Sequence, residues 1–359
     1  MSLELKSKVI EIKENWRDLS ITLAIGLMGS LFFVYLELPL PWVIGALFTT
    51  TCAAIMGQRM WVPNWLRSNS HLVLGALFGT SVSPEFLDNI VKWLPSMFAV
   101  TAYVVLVMPP IMLYLVKVSR IDAVTAYFSA APGGLLPMTL LGGAMGGDEK
   151  TISLIQSSRI ILTVLLIPFA FNIFGGYEPT GSVGTGGSFK DLGLSEGLLL
   201  LALSMAGFMI ARPLKIPTPY LMGPMIFVAV GSVTGFNTAE VPDSLVAIAQ
   251  WIIGSNIGAM FNNVKPKVVA RTLVHGSVTS AFMILFAAGA AALTHLVTGL
   301  PTNGLVLAFA PGGFAEMALV GFALGIDIAF LVTHQLTRYF FVIFMIPLCF
   351  PILKKLDKR

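Results

Sequence analysis

The chain has 359 residues, 56% of them hydrophobic and 11% charged, with a formal net charge of +4. Ordinary soluble domains carry about 25% charged residues, so the composition excludes that class and points to a membrane protein. The small positive balance sits mainly at the ends of apolar runs, where it carries topology information; no basic face of the kind that binds nucleic acid stands apart from hydrophobic neighbours.

Residues 1–18 are a charged segment, with Lys6, Lys8, Lys13 and Arg17 among Glu4, Glu11 and Glu14. A surface amphipathic helix over 4–17 is expected, on the cytoplasmic side, with no cleavable signal. Apolar segments follow at 19–36, 42–57, 69–82, 93–117, 121–146 and 150–172. A second set lies at 195–211, 219–236, 246–261, 270–299, 304–325 and 327–350. Most reach the roughly 17–25 residues that a membrane span requires. Between the sets, 173–194 is glycine-rich and reads as a flexible linker, and 354–359 is a basic cytoplasmic tail. Cys52 and Cys349 lie in apolar runs and read as inert small hydrophobes.

The two sets are copies. Residues 131–159 and 310–338 align without a gap at an offset of 179, with 12 of 29 positions identical. Both contain Ala-Pro-Gly-Gly, at 131–134 and 310–313, followed by Gln156 and Arg159 or by Gln335 and Arg338. Pro39, Pro41 and Gly45 match Pro217, Pro219 and Gly223 at 178; Pro63, Gly75, Gly79 and Pro168 match Pro242, Gly254, Gly258 and Pro347 at 179. The duplication covers 19–172 and 195–353. Self-similarity on this scale in a membrane chain points to a transporter built from two halves.

Loop charges set the orientation. In the first half the basic connections are the N-terminus, the 58–68 loop and 117–120, whereas 83–92 carries Glu85 and Asp88. The second half is in antiphase. Arg212 and Lys215 follow its first span, Lys265, Lys267 and Arg271 its third, and Glu240 and Asp243 lie between. The positive-inside rule then makes the halves inverted, with both termini cytoplasmic. Inversion needs an odd number of crossings per half, so one of six segments does not cross. The segments at 121–146 and 304–325 are the candidates, each interrupted by Pro-Gly-Gly: Pro132 ends a helix and the glycines allow a reversal. The expected fold is an all-α polytopic membrane protein of two inverted repeats, each with five spans and one re-entrant hairpin. A single broken span in place of each hairpin is the alternative.

At each hairpin tip the second arm begins with unpaired amides, and helix N-termini attract anions. Two tips converging near the midplane would make a site from Pro132, Gly133 and Gly134 with Pro311, Gly312 and Gly313. Arg159 and Arg338 fall deep inside their helices, where a charge must face a cavity or a partner. Gln156 and Gln335 share their helical faces. An arginine fork suits a carboxylate, which makes all four candidate substrate ligands; capping of hairpin carbonyls, or pairing with Glu316, is the bland alternative. Glu316 replaces Pro137 and His334 replaces Ile155, so these two are candidates for proton or ion coupling. Asp148 and Asp327 read as helix caps.

These residues resemble the duplicated membrane family labelled AbrB, or ammonia monooxygenase, whose Ala-Pro-Gly-Gly and Gln-x-x-Arg pattern is present here in both halves over 20–350. The AbrB name is shared with an unrelated small DNA-binding regulator, and the resemblance implies a regulator of gene expression in the bacterial inner membrane. More distantly, the layout is similar to inverted-repeat secondary carriers with re-entrant hairpins. A monooxygenase would need clustered metal ligands. His71, His275, His295 and His334 form no pair at ligand spacing. No catalytic residue, metal or cofactor is therefore expected, and no nucleic-acid partner. The expectation is a carrier in the bilayer for a small anionic or zwitterionic solute that bears a carboxylate, with a homodimer expected from the class alone. A membrane sensor using the same pocket is the competing reading.

Overall fold

The computed structural model describes residues 2–82, 84–175, 187, 192–237, 239–262 and 266–356. Most of the expected 173–194 linker and the end of the basic tail lie outside the described residues. The described residues form fourteen helices and no strand. In the first half these are α1 (Ser2–Tyr35), α2 (Pro41–Ile55), α3 (Asn64–Thr80), α4 (Phe86–Lys117), α5 (Ala123–Ala130), α6 (Leu135–Ala144) and α7 (Glu149–Gly175). In the second they are α8 (Leu194–Ala211), α9 (Pro219–Val233), α10 (Asp243–Ala259), α11 (Pro266–Thr298), α12 (Thr302–Phe309), α13 (Phe314–Ala323) and α14 (Ile328–Leu356). Helix α1 is broken at Asn15, where the charged N-terminal segment gives way to the first apolar span.

The duplication holds in the backbone. Helices α5, α6 and α12, α13 begin and end at the offset of 179, and α2 and α9 at 178. Leu40 and Thr218, which precede α2 and α9, share the uncommon left-handed backbone, at φ 47° and 44°. Six helices are long and apolar enough to cross a membrane: α1, α4, α7, α8, α11 and α14. Helices α2, α3, α9 and α10, of 15–17 residues, reach about 22–26 Å at 1.5 Å per residue. Large apolar side chains such as Phe98, Leu285 and Leu296 are exposed, whereas Gln156, Arg159, His334, Gln335 and Arg338 are buried. This inverts the soluble pattern and suits a hydrocarbon solvent. The protein is an all-α polytopic membrane protein.

The chain divides into two compact units that cut across the sequence repeats. The first unit, Met1–Val82 with Pro168–Pro266, holds α1–α3 and α8–α10. Within it, glycines let backbones touch in repeat-matched pairs. A Cβ added at Gly75 would lie 2.4 Å from the Leu221 carbonyl oxygen, and one at Gly254 would lie 2.3 Å from that of Val43. Gly79 likewise meets Val228, and Gly258 meets Thr50. Along both pairs residue numbers rise together, so α2 runs parallel to α10 and α3 to α9. Asn262 donates to the Met60 carbonyl at 2.9 Å, tying the far ends of α10 and α2.

The second unit, Ser83–Ile167 with Lys267–Arg359, holds α4–α6, most of α7 and α11–α14. Helix α4 packs on α5, α12 and α14.

Candidate functional site

Helix α5 begins at Asp122, whose carboxylate accepts from the Thr125 amide at 2.9 Å. It stops after eight residues because Pro132 forces Ala131 into extended backbone, ψ 123°. At about 12 Å it cannot cross a bilayer core. Helix α6 then returns alongside it: the Asp148 amide donates to Thr125 Oγ1 at 2.8 Å, and a Cβ at Gly142 would lie 3.1 Å from the Phe128 ring. Residue 148 thus ends beside the start of α5, which a continuous span could not achieve. The matching pair α12 and α13 does the same, with Gly304 beside Ile326. Both are hairpins. Asp148 and Asp327 cap the helices that follow, accepting from the amides of Lys150 and Thr151 and of Ala329 and Phe330.

The tip glycines do not serve the turn as the sequence suggests. Gly134 and Gly313 have φ of −68° and −71°, which any residue adopts. Their small size answers close approach instead. A Cβ at Gly133 would lie 2.7 Å from Val342 Cγ1, and one at Gly134 would lie 3.1 Å from the Tyr339 ring.

Gln156 and Arg159, on α7, are 0% and 2% exposed. Gln156 Nε2 donates to the carbonyls of Phe128 and Ala131 at 2.9 and 3.1 Å. Arg159 donates to the carbonyls of Ala131 and Gly133 at 2.8 and 3.0 Å, and to Gln156 Oε1. The second half repeats this. Gln335 Nε2 donates to Leu307 at 3.3 Å, and Arg338 to Phe309 at 3.2 Å, to Ala310, to Gly312 at 3.4 Å and to Gln335 Oε1. Each guanidinium thus satisfies carbonyls at the C-terminal end of a short helix, where the helix dipole favours a cation. The forks are turned to the hairpins, and Arg338 makes its hydrogen bonds to uncharged oxygens, Glu316 not being among them. The arginines hold the tips in place.

One turn of α14 serves both breaks. Arg338 grips the second, while Tyr339 and Val342 press on Gly134 and Gly133 of the first. Tyr103 of α4 packs in the same region. Tyr103 is fully buried, donates to the Met283 carbonyl at 3.3 Å and sets its ring edge-on to Phe309. Pro132, Pro311, Gly312 and the rest of the expected tip residues fall in this region.

The two candidate coupling residues part company. Glu316 is half-buried and folds over Gly313. His334 is fully buried on α14 between Trp93 and Phe330. Its Nδ1 donates to the Phe330 carbonyl at 2.8 Å and its Nε2 meets Ser96 Oγ at 2.7 Å. Among the described residues, no three His, Cys, Asp or Glu side chains are grouped to hold a metal ion. Tyr103, Ser96, Tyr339 and Val342 were not foreseen. Tyr103 is one of two tyrosines in the apolar run 93–117, and that is the one sign the sequence offers.

A family profile described as "Transition state regulatory protein AbrB" matches residues 42–354. The chain is 29% identical over 351 residues to "Uncharacterized protein YhjN" of Bacillus subtilis (strain 168), covering 90% of each chain. It is 22% identical over 321 residues to "Putative regulator AbrB" of Escherichia coli (strain K12), covering 89% of this chain and 91% of that one. With its duplicated hairpins and glutamine–arginine clamps, the chain belongs to the AbrB family of membrane proteins.

Proposed function

We propose that the protein is a secondary carrier for a small anionic or zwitterionic solute, bound near the midplane between the two hairpin tips. The observation that supports this is the meeting of both tips on one turn of α14; the first turn of a helix leaves amides without an intrahelical partner, a setting that attracts anions. Irregular backbone at membrane depth is tolerated where protein surrounds it or a water-filled cavity adjoins it, which is the setting of carrier sites. Pro132–Gly134 and Pro311–Gly313 would contact the solute, with Gln156, Arg159, Gln335 and Arg338 at their backs. Alternating access would come from movement of the unit that holds both hairpins. The loop charges favour the bacterial inner membrane with both termini cytoplasmic.

The name of the Escherichia coli relative favours a second reading, a membrane sensor that affects gene expression. Counterflow of labelled small carboxylates in proteoliposomes separates the two. Saturable exchange, lost when Gly134 is replaced by Val, supports the carrier. Binding without exchange supports the sensor.

A further inference from the structure

The two hairpins differ at the start of their second arms. Glu316 is the third residue of α13, and its carboxylate folds back so far that a Cβ at Gly313 would lie 2.0 Å from Oε2. The carboxylate thus lies beside the N-cap residue, at the positive end of α13. The second hairpin therefore already holds an anion of its own. At the matching place in α6 stands Pro137, and the first turn of that helix contains no acidic residue. Pro137 has no amide hydrogen, so the free donors there belong to Leu135 and Leu136, with Gly134 ahead of them.

Arg159 is a separate pointer to the same end. Its guanidinium is lodged in the first break, on the carbonyls of Ala131 and Gly133, yet its buried Nε has no acceptor. At 2% exposure the side chain is shut away from bulk solvent, and an unpaired buried donor of this kind calls for an acceptor. Arg338 leaves none of its buried nitrogens in that state among the described residues.

We infer that the first hairpin alone takes the anionic group of the solute, a carboxylate, on the amides that start α6 and on Nε of Arg159. Glu316 is then an internal anion that closes the second hairpin to the same ligand. The inference deepens the carrier reading and rests on it for the identity of the site.

The test uses the full chain in detergent, with acetate as the probe, titrated against chloride at constant ionic strength. At tenfold excess over Kd, wild type and Pro137→Ala should gain about 2 °C in Tm, the size expected for one bound ligand on a chain of this length. Pro137→Glu, which supplies a carboxylate to α6 in the manner of Glu316, should not respond. Glu316→Gln should keep the response, and calorimetry should count two acetates per chain where wild type binds one. An equal response in Pro137→Glu, none in wild type, or loss of binding in Glu316→Gln overturns the assignment. Should Pro137→Glu not fold, the Glu316→Gln stoichiometry decides alone. Acetate binding as described but no counterflow of any carboxylate would sink the carrier and leave the site. Counterflow with an acetate response that ignores Pro137→Glu would do the reverse.

Discussion

Replacing Arg338 by Met keeps an apolar stem and removes the fork that holds the second hairpin. The carbonyls of Phe309, Ala310 and Gly312 and Gln335 Oε1 then lose their donor. Four orphaned acceptors at about 1–2 kcal/mol each give about 4–8 kcal/mol of destabilisation. Removing a charge from the middle of the membrane offsets about 2.5–3.5 kcal/mol of that on insertion scales. The net loss is about 1–5 kcal/mol, which for a chain of this length lowers Tm by about 1–7 °C. Arg338→Lys should fall between wild type and Met, because a point charge cannot reach carbonyls on both sides of the break as a planar fork does. The assay is thermal unfolding of the purified protein in detergent, followed by tryptophan fluorescence. A Met variant as stable as wild type but unable to bind solute would refute the clamp and return Arg338 to the role of a direct ligand.

Other outcomes follow from the same geometry. Gly75→Ala and Gly254→Ala drive a methyl into a backbone oxygen of the helix packed alongside; each should cost about 1–2 kcal/mol net of helix propensity, and matching losses in thermal unfolding check the repeat symmetry. Ser96→Ala leaves Nε2 of His334 without its partner, which costs about 1–3 kcal/mol, and solute binding measured by calorimetry should not change. Thr125→Cys with Asp148→Cys should cross-link on oxidation in native membranes, since the two positions are joined by a 2.8 Å hydrogen bond; a continuous span would leave the pair unlinked.

Much of this arrangement is legible in the chain itself, and the reason is local. A Pro-Gly-Gly inside an apolar run interrupts a helix wherever the run packs, and a repeated offset of 179 carries the same interruption to 310–313. The same repeat places Gly75 and Gly254 at matched close contacts with the carbonyls of Leu221 and Val43. What could not be read depends on contacts between distant residues. Nothing near Arg159 or Arg338 says that their forks turn back onto hairpin carbonyls and not outward. The role of Gly133 and Gly134 was misassigned for the same reason, because Val342 and Tyr339 lie some 200 positions away in sequence. The pairing of Ser96 with His334 is another link of this kind. Nor does a linear repeat reveal that the two halves exchange helices to build two units.

The central claim is that both breaks come together on one turn of α14, and a single cross-link tests it. In a background of Cys52→Ser and Cys349→Ser, the pair Gly134→Cys and Tyr339→Cys should form a disulfide on mild oxidation in native membranes. The linked protein should lose counterflow and regain it on reduction. A pair that stays reduced under conditions that link Thr125→Cys with Asp148→Cys would place the first break away from α14 and contradict the account.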